Sequence, residues 1–163
     1  MAEVSGGDRI VSWAEVHRDA KMLVRRLLPA AKWTGIVAIS RGGLVPAAIL
    51  AREMEIRVID TISIVTYDLQ NEKLRGEARI IKAPERAQAD QGRGWLVIDD
   101  LVDTGVTMRK AREIMPHAHV AAVYAKPEGM AFVDTWVHEV PQNVWIYFPW
   151  DTDVTYTAPL ARG

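Results

Sequence analysis

The sequence predicts an α/β fold in which a parallel twisted sheet is flanked by helices. Short apolar runs rich in β-branched residues alternate with segments of helical periodicity, which indicates strands joined by right-handed helical crossovers. The chain has 163 residues, of which 49% are hydrophobic, so we expect one domain over residues 1–163. Ligands of such sheets bind beyond the carboxyl ends of the strands, where this sequence carries its unusual loops.

The first clear element is a helix that begins after Ser12. Ser12 and Glu15 have the spacing of a capping box, apolar residues then recur at helical intervals, and Pro29 follows the expected end. The basic residues of this helix lie largely off the apolar stripe, which indicates a solvated face or else a basic surface. They are Arg18, Lys21, Arg25 and Arg26.

The remaining elements follow in alternation. Residues 35–39 predict a buried strand, residues 44–53 a helix and residues 58–67 one or two strands. Residues 68–94 are polar and weakly patterned, and a stretch of this length is usually functional or mobile. Further strands are predicted over residues 95–98, 120–125, 136–140 and 144–148, and a helix over residues 107–115.

Composition excludes several classes of protein. Without cysteine there is no disulfide, thiolate metal site or cysteine nucleophile, and the histidines show no metal-ligand spacing. A net charge of -1 lacks the excess of Lys and Arg typical of nucleic-acid binding, so we expect no such partner. The longest apolar run, residues 44–51, is too short to span a membrane, and the N-terminus lacks the pattern of a signal peptide. We therefore expect a cytoplasmic protein.

The most informative stretch is residues 97–107, where an apolar strand ends in Asp99 and Asp100 and a short turn opens a helix. Backbone N–H groups at a helix start bind anions, threonine hydroxyls add donors, and Gly105 allows close approach of a phosphate. The two acids suit ribose hydroxyls or a hydrated metal ion, because carboxylates repel phosphate. An ordinary strand end followed by a capped helix is the structural alternative, but the joint pattern favours a ligand site.

This stretch resembles the phosphoribosyl pyrophosphate (PRPP) signature of the type I phosphoribosyltransferases, and the wider match is to the bacterial xanthine–guanine phosphoribosyltransferases. Residues 39–46 resemble the family's pyrophosphate loop, and residues 125–127 its purine-contacting lysine segment. Residues 141–146 and 149–151 resemble its base-stacking hood, which we expect over residues 127–155. The matches occur in the family's order and span nearly the whole chain.

The resemblance implies an enzyme of purine salvage with the type I phosphoribosyltransferase fold and a small hood, built from both termini, over the base site. It implies transfer of the 5-phosphoribosyl group from PRPP to N9 of xanthine or guanine, and after these of hypoxanthine. The products are XMP, GMP or IMP and pyrophosphate. Mg²⁺ is the implied cofactor.

By resemblance, Asp99 and Asp100 hold the ribose hydroxyls and the magnesium shell, and Asp103 is the general base near purine N7. Helix capping is the ordinary alternative for Asp103. The family's pyrophosphate loop carries a non-proline cis peptide, which corresponds here to Ser40–Arg41, and Val106 stands where the family often has glycine. The PRPP-binding residues implied are Ser40, Arg41, Gly42, Gly43, Asp99, Asp100, Asp103, Thr104, Gly105, Val106 and Thr107.

Four further residues are implied to bind the purine. Lys126 donates to the 6-oxo group, which favours oxopurines over adenine because an amino group there is a poor acceptor. Trp145 stacks on the base, the Ile146 backbone carbonyl faces its 2-position, and Asp151 assists at the 2-substituent. The ordinary alternatives are a surface lysine and a core tryptophan.

The polar segment over residues 66–92 corresponds to the family's mobile catalytic loop, which excludes water during reaction. Tyr67, Lys73 and Arg75 are its candidate site residues, with the register of the two basic side chains left open.

Two other functions remain open. A regulatory module could sense PRPP without transferring it, although such regulators carry a DNA-binding domain or a basic surface that this composition lacks. A transferase for adenine or orotate is disfavoured by Lys126 and Trp145. The resemblance also implies a homotetramer, and family members can associate peripherally with the inner membrane, a role that the basic helix face could serve.

Overall fold

Helices and strands alternate along the chain in the computed structural model, which describes residues 7–66 and 78–151. In chain order they are β1 (Arg9–Ile10), α1 (Trp13–Leu27), β2 (Gly35–Ser40), α2 (Leu44–Glu53), β3 (Ile59–Thr66), β4 (Ala78–Lys82), α3 (Glu85–Ala89), β5 (Trp95–Val102), α4 (Val106–Ile114), β6 (His119–Ala125), β7 (Thr135–Glu139) and β8 (Ile146–Tyr147). Short 3₁₀ turns lie at Ala30–Lys32 and Met130–Phe132.

The larger sheet has the strand order β4-β3-β2-β5-β6-β7 within the described residues. Its strands pair in parallel except at the β3–β4 edge, so the predicted α/β fold with a parallel sheet is confirmed with one antiparallel edge strand. β4 lies at the edge of the sheet, where an antiparallel strand on an otherwise parallel sheet is common.

The central strands are buried on both faces. Ile36 and Leu96 belong to the apolar cluster on the side of α1 and α2, whereas Val37 and Val97 belong to the cluster that contains α4. Alternate residues of a strand point to opposite faces, so one continuous apolar run supplies both layers. This double burial leaves the strand ends as the edges where polar groups can collect.

The capping box of α1 is present as predicted. Ser12 Oγ accepts a hydrogen bond from the Glu15 N–H at 3.2 Å, and Glu15 Oε2 accepts one from the Ser12 N–H at 2.8 Å. Two basic residues of the helix have side-chain or backbone partners on other elements: Lys21 lies 3.6 Å from Glu53, and Arg26 donates to the Trp136 carbonyl. Across residues 7–66 and 78–151, no helix is both long and apolar enough to cross a bilayer.

A buried carboxylate, Asp19, joins α1 to the sheet. Its side chain is 0% exposed and accepts hydrogen bonds from the Tyr124 hydroxyl at 2.7 Å and from Arg18 at 2.8 Å. His138 Nε2 lies 3.2 Å from its Oδ1. Burial alone would raise the pKa of Asp19, but these partners outweigh burial and lower it.

Two short strands of the hood region, β1 and β8, form a small parallel sheet that joins residues 9–10 to residues 146–147. The Arg9 N–H donates to the Trp145 carbonyl at 2.8 Å. The Arg9 guanidinium lies 5.0 Å from the ring centroid of Tyr124, and Tyr124 meets Phe148 edge-on at 5.8 Å. These contacts fasten the hood to β6, the strand that leads to Lys126.

Several predicted boundaries were wrong. β5 does not stop at residue 98: it continues through Asp99 and Asp100 to Val102, because β6 lies alongside and supplies backbone partners up to Ala125. The weakly patterned stretch, residues 68–94, for which no helix or strand was predicted, contains β4 and α3 in its described part. α4 begins at Val106, one residue early, and β8 covers only Ile146–Tyr147 of the predicted 144–148.

Candidate active site

Three loops meet at the carboxyl edge of the sheet, because they follow the neighbouring parallel strands β2, β5 and β6. A methyl group placed on Gly42 would lie 2.3 Å from Asp100 Oδ2, so the β2 loop is in direct contact with the β5 carboxylate. The Lys126 N–H donates to the Val102 carbonyl at 2.9 Å, which ties the β6 loop to β5.

The loop after β2 is tightly packed against the sheet. The peptide bond between Ser40 and Arg41 is cis, as predicted. A Cβ on Gly43 would lie 2.2 Å from the Ile98 carbonyl oxygen, so only glycine fits without moving backbone. Arg41 is exposed beside this loop, and Ser40 Oγ lies 2.7 Å from Ser63 Oγ on β3.

Asp99 and Asp100 form a pair of neighbouring carboxyl groups with raised pKa values. Burial, and after it the charge of Asp100, raises the pKa of Asp99 well above its usual range. Burial also raises the pKa of Asp100, and the charge of Asp151 adds to this effect. Their oxygens accept backbone hydrogen bonds, from the Asp100 N–H at 2.9 Å and from the Leu101 N–H at 2.7 Å. Hydroxyl donors or a cation would stabilise the charged pair.

The acid pair has the oxygen donors that a hydrated divalent cation binds. In the part of the chain that the structure describes, no three His, Asp or Glu side chains converge into a cation site. Mg²⁺ commonly takes one or two carboxylates, keeps several waters and completes its shell with substrate phosphates. The closely spaced carboxyl groups of Asp99 and Asp100 fit that donor set.

The start of α4 is open for an anion. Gly105 is its N-cap residue, with φ of 81°, and no side chain caps the helix. Asp103 is therefore not a helix cap, contrary to the ordinary alternative for that residue. Uncapped N–H groups of the first turn, with the helix dipole behind them, bind phosphate well. Thr104 is exposed and Thr107 half-buried beside them.

Asp103 lies between two donors. Lys126 Nζ is 3.1 Å from Asp103 Oδ2, and Gln142 Nε2 donates to Asp103 Oδ1 at 2.7 Å. Lys126 is only 4% exposed, so it is not the surface lysine that its residue type would suggest. Asp103 itself is half-buried, which leaves its carboxylate accessible at the edge of the sheet.

The hood residues occupy distinct environments. Trp145 is 61% exposed, which excludes the core position that its apolar neighbours suggested. Carbonyls of a strand alternate in direction, and those of residues 145 and 147 accept from the N–H groups of Arg9 and Val11, so the Ile146 carbonyl faces away from β1. Asp151 Oδ2 accepts from the Phe148 N–H at 3.2 Å, so this carboxylate closes the turn over residues 148–151.

The profile of the phosphoribosyl transferase domain matches residues 8–157. The chain belongs to the phosphoribosyltransferase family.

Curated relatives match this phosphoribosyltransferase over most of their length. It is 51% identical over 152 residues to the xanthine-guanine phosphoribosyltransferase of Nitratidesulfovibrio vulgaris strain DP4, covering 93% of this chain and 90% of that protein. It is 53% identical over 150 residues to the enzyme of the same name from Desulfotalea psychrophila, covering 92% and 90%. The purine phosphoribosyltransferase structure from Pyrococcus horikoshii Ot3 has a TM-score of 0.72 at 24% identity, covering 90% of this chain and 95% of that chain, and supports the fold.

Sequence reasoning did not single out two polar residues of this phosphoribosyltransferase. Ser63 lies beside the site because β3 pairs with β2, which places Ser63 directly across from Ser40. Gln142 lies in the segment predicted to form the hood, and nothing in its spacing indicates the hydrogen bond that it donates to Asp103. Three predicted site residues lie outside the described residues: Tyr67, Lys73 and Arg75.

Proposed function

We propose that this phosphoribosyltransferase is a purine salvage enzyme that transfers the 5-phosphoribosyl group from PRPP to N9 of a 6-oxopurine. Xanthine and guanine are the expected bases, followed by hypoxanthine, because relatives at 51% and 53% identity are xanthine-guanine phosphoribosyltransferases. The observation that carries the proposal is the contact between buried Lys126 and Asp103. This contact places a donor for a 6-oxo group, Lys126, beside a proton acceptor, Asp103. Both lie at the edge of the sheet that also carries the acid pair and the uncapped start of α4.

PRPP lies along the carboxyl edge of the sheet in this proposal. The first-turn N–H groups of α4 and the hydroxyls of Thr104 and Thr107 bind the 5′-phosphate, while Asp99 and Asp100 accept hydrogen bonds from the ribose hydroxyls. Arg41 and the backbone of the cis-peptide loop bind the pyrophosphate. Asp99 and Asp100 would hold Mg²⁺, which would supply positive charge to neutralise the leaving pyrophosphate.

The transfer step needs charge stabilisation and one proton acceptor. The lone pair of purine N9 forms the new bond to ribose C1′, while the C1′–O bond breaks and its electrons leave with pyrophosphate. The proton on purine N7 passes to the carboxylate of Asp103. Because the ribose becomes oxocarbenium-like, nearby carboxylates also stabilise its developing positive charge.

Base selection follows from the donors and acceptors at the hood. Lys126 offers only N–H donors, so it pairs with a 6-oxo group and leaves the 6-amino group of adenine unsatisfied. The exposed ring of Trp145 offers a stacking face, and the Ile146 carbonyl faces the purine 2-position, where it accepts from the 2-amino group when the base is guanine. Asp151 acts at the purine 2-position indirectly, by holding the turn that its carboxylate closes with the Phe148 N–H.

The test is turnover with a panel of bases. The protein is mixed with PRPP and magnesium and, separately, with xanthine, guanine, hypoxanthine, adenine and orotate, and nucleotide formation is followed beside an Asp103→Asn variant. Turnover of the 6-oxopurines that is weakened in the variant supports the proposal. Tight PRPP binding without turnover of any base would favour a sensor and overturn it.

Assembly and location extend the proposal. We expect a homotetramer in the cytoplasm, and the exposed side chains of Ile10 (72%) and Trp13 (57%) are apolar groups that a subunit contact could cover. Sedimentation velocity tests the tetramer.

Peripheral binding to the inner membrane through the basic residues of α1 is the weaker expectation, because Lys21 and Arg26 already have partners within the protein. Flotation with anionic vesicles tests it.

A further inference from the structure

We infer that Gln142 is a positioning residue, which holds the Asp103 carboxylate in place for proton transfer while Lys126 binds the purine. The inference rests on the proposed function and deepens it. It assigns a role to a hood residue that contacts no substrate atom in the proposed reaction, and it makes the hood part of the proton-transfer apparatus as well as a cover for the base.

The Gln142 side chain is fixed at both ends of its amide. Its Nε2 donates to Asp103 Oδ1 at 2.7 Å, and its Oε1 accepts a hydrogen bond from the Glu128 backbone N–H at 3.1 Å. Exchanging the amide oxygen and nitrogen would turn both bonds into repulsive contacts, so the network sets the orientation of the amide. Gln142 therefore offers Asp103 a rigid donor, anchored to the backbone of the loop after β6.

Two features of Asp103 explain why it needs this donor. The residue lies in a turn, after the end of β5 and before the start of α4, so no regular element fixes its side chain. Its second donor, Lys126, is the residue that the purine 6-oxo group engages in the proposed function. As Lys126 turns toward the base, its hold on Asp103 weakens, whereas Gln142 stays bound to the backbone of Glu128.

A neutral donor suits this task. A second cation at position 142 would stabilise the charged carboxylate strongly and oppose proton uptake, whereas an amide N–H orients the carboxylate at a smaller cost in basicity. A hydrogen bond to a charged group corresponds to about 10- to 100-fold in a rate that depends on it. The effect belongs in the chemical step, because Gln142 contacts Asp103 rather than PRPP.

The experiment measures single-turnover nucleotide formation with guanine, together with the KM for PRPP, so that product release does not mask the chemistry. Gln142→Met matches the side-chain length without polar groups. Gln142→Glu keeps the acceptor for the Glu128 N–H but loses the donor. His117→Ala, an exposed position before the amino end of β6 and therefore at the opposite edge of the sheet from the site, is the control. Each Gln142 variant is also combined with Asp103→Asn, and thermal unfolding checks that all variants fold.

We expect Gln142→Met and Gln142→Glu to slow the single turnover about 10- to 100-fold, with the KM for PRPP changed by less than about threefold. On the Asp103→Asn background the same changes should add less than about twofold, because the residue that they position is already gone. The control variant should form nucleotide at the same single-turnover rate as the unmodified protein.

Three results would overturn the inference: an unchanged rate in Gln142→Met, an equal loss on both backgrounds, or full activity in Gln142→Glu. The last would show that the bond to Glu128 matters and the donor to Asp103 does not. The unmodified protein is measured in the same assay. If it forms no nucleotide, the proposed function fails; if it turns over normally and the variants match it, only the role of Gln142 fails.

Discussion

Replacing Gly42 with alanine should damage PRPP use with little effect on the rest of the protein. The new Cβ would lie 2.3 Å from Asp100 Oδ2 and 2.5 Å from its Cγ, whereas ordinary contacts begin at 3.4 Å. Either the pyrophosphate loop or the carboxylate must therefore move by about 1 Å. The carboxylate is restrained, because its Oδ1 accepts a hydrogen bond from the Leu101 N–H at 2.7 Å.

A displacement of about 1 Å at a reacting group can cost about 100-fold in rate, or roughly 2.7 kcal/mol. We expect Gly42→Ala to lower kcat/KM for PRPP by that factor in initial-rate measurements at saturating guanine and magnesium. Gly7→Ala is the control, since nothing lies within 4 Å of its Cβ position. A Gly42→Ala value within threefold of the unmodified protein would refute the reasoning, because the loop and Asp100 would then separate without consequence.

Three further changes test other parts of the molecule. Tyr124→Phe should lower the free energy of unfolding by about 2 kcal/mol at pH 7, since buried Asp19 loses a charge-assisted hydrogen bond. The lowered pKa of Asp19 gives stability that is lost as pH falls through that pKa, so urea unfolding should show a smaller difference at pH 3. Asp100→Asn should raise the melting temperature at pH 7 while weakening PRPP binding about tenfold or more by calorimetry. The raised pKa values of Asp99 and Asp100 mean that the native state holds extra protons, so stability falls as pH rises above about 4, and the variant should flatten that slope. Lys126→Met should lower kcat/KM for guanine about 10- to 100-fold and reduce the preference over adenine in a competition assay. An unchanged value in any of the three would contradict the role given to that residue.

Hydrophobic periodicity predicted the elements that bury a regular apolar pattern. The helix after Ser12 and the strand beginning at Gly35 lie where the sequence placed them, because burial on a helix stripe or on both strand faces leaves a periodic signal. The same reasoning ended β5 four residues early, since two aspartates look like a strand end. Backbone pairing with β6, which involves no side-chain pattern, carries the strand on to Val102.

The residue types and their order in the candidate site were also readable from the sequence. Strand, acid pair, turn and helix follow one another within one short segment, so a local pattern could indicate a phosphate and ribose site. The contact between the hood and β6 could not be predicted from the sequence. Arg9 and Tyr124 are more than a hundred residues apart in the chain, and no local pattern encodes their contact.

From residues that lie close together in the chain, the sequence predicted the fold class and the parallel core, and it indicated which residue types stand at the ends of β2, β5 and β6. Tertiary structure alone decided which polar groups touch. The contact of Gly42 with Asp100, the burial of Lys126 and the bond from Gln142 to Asp103 join separate loops. Such contacts depend on strand order and register, which bring distant segments within a few ångströms and leave no periodic trace in any one of them.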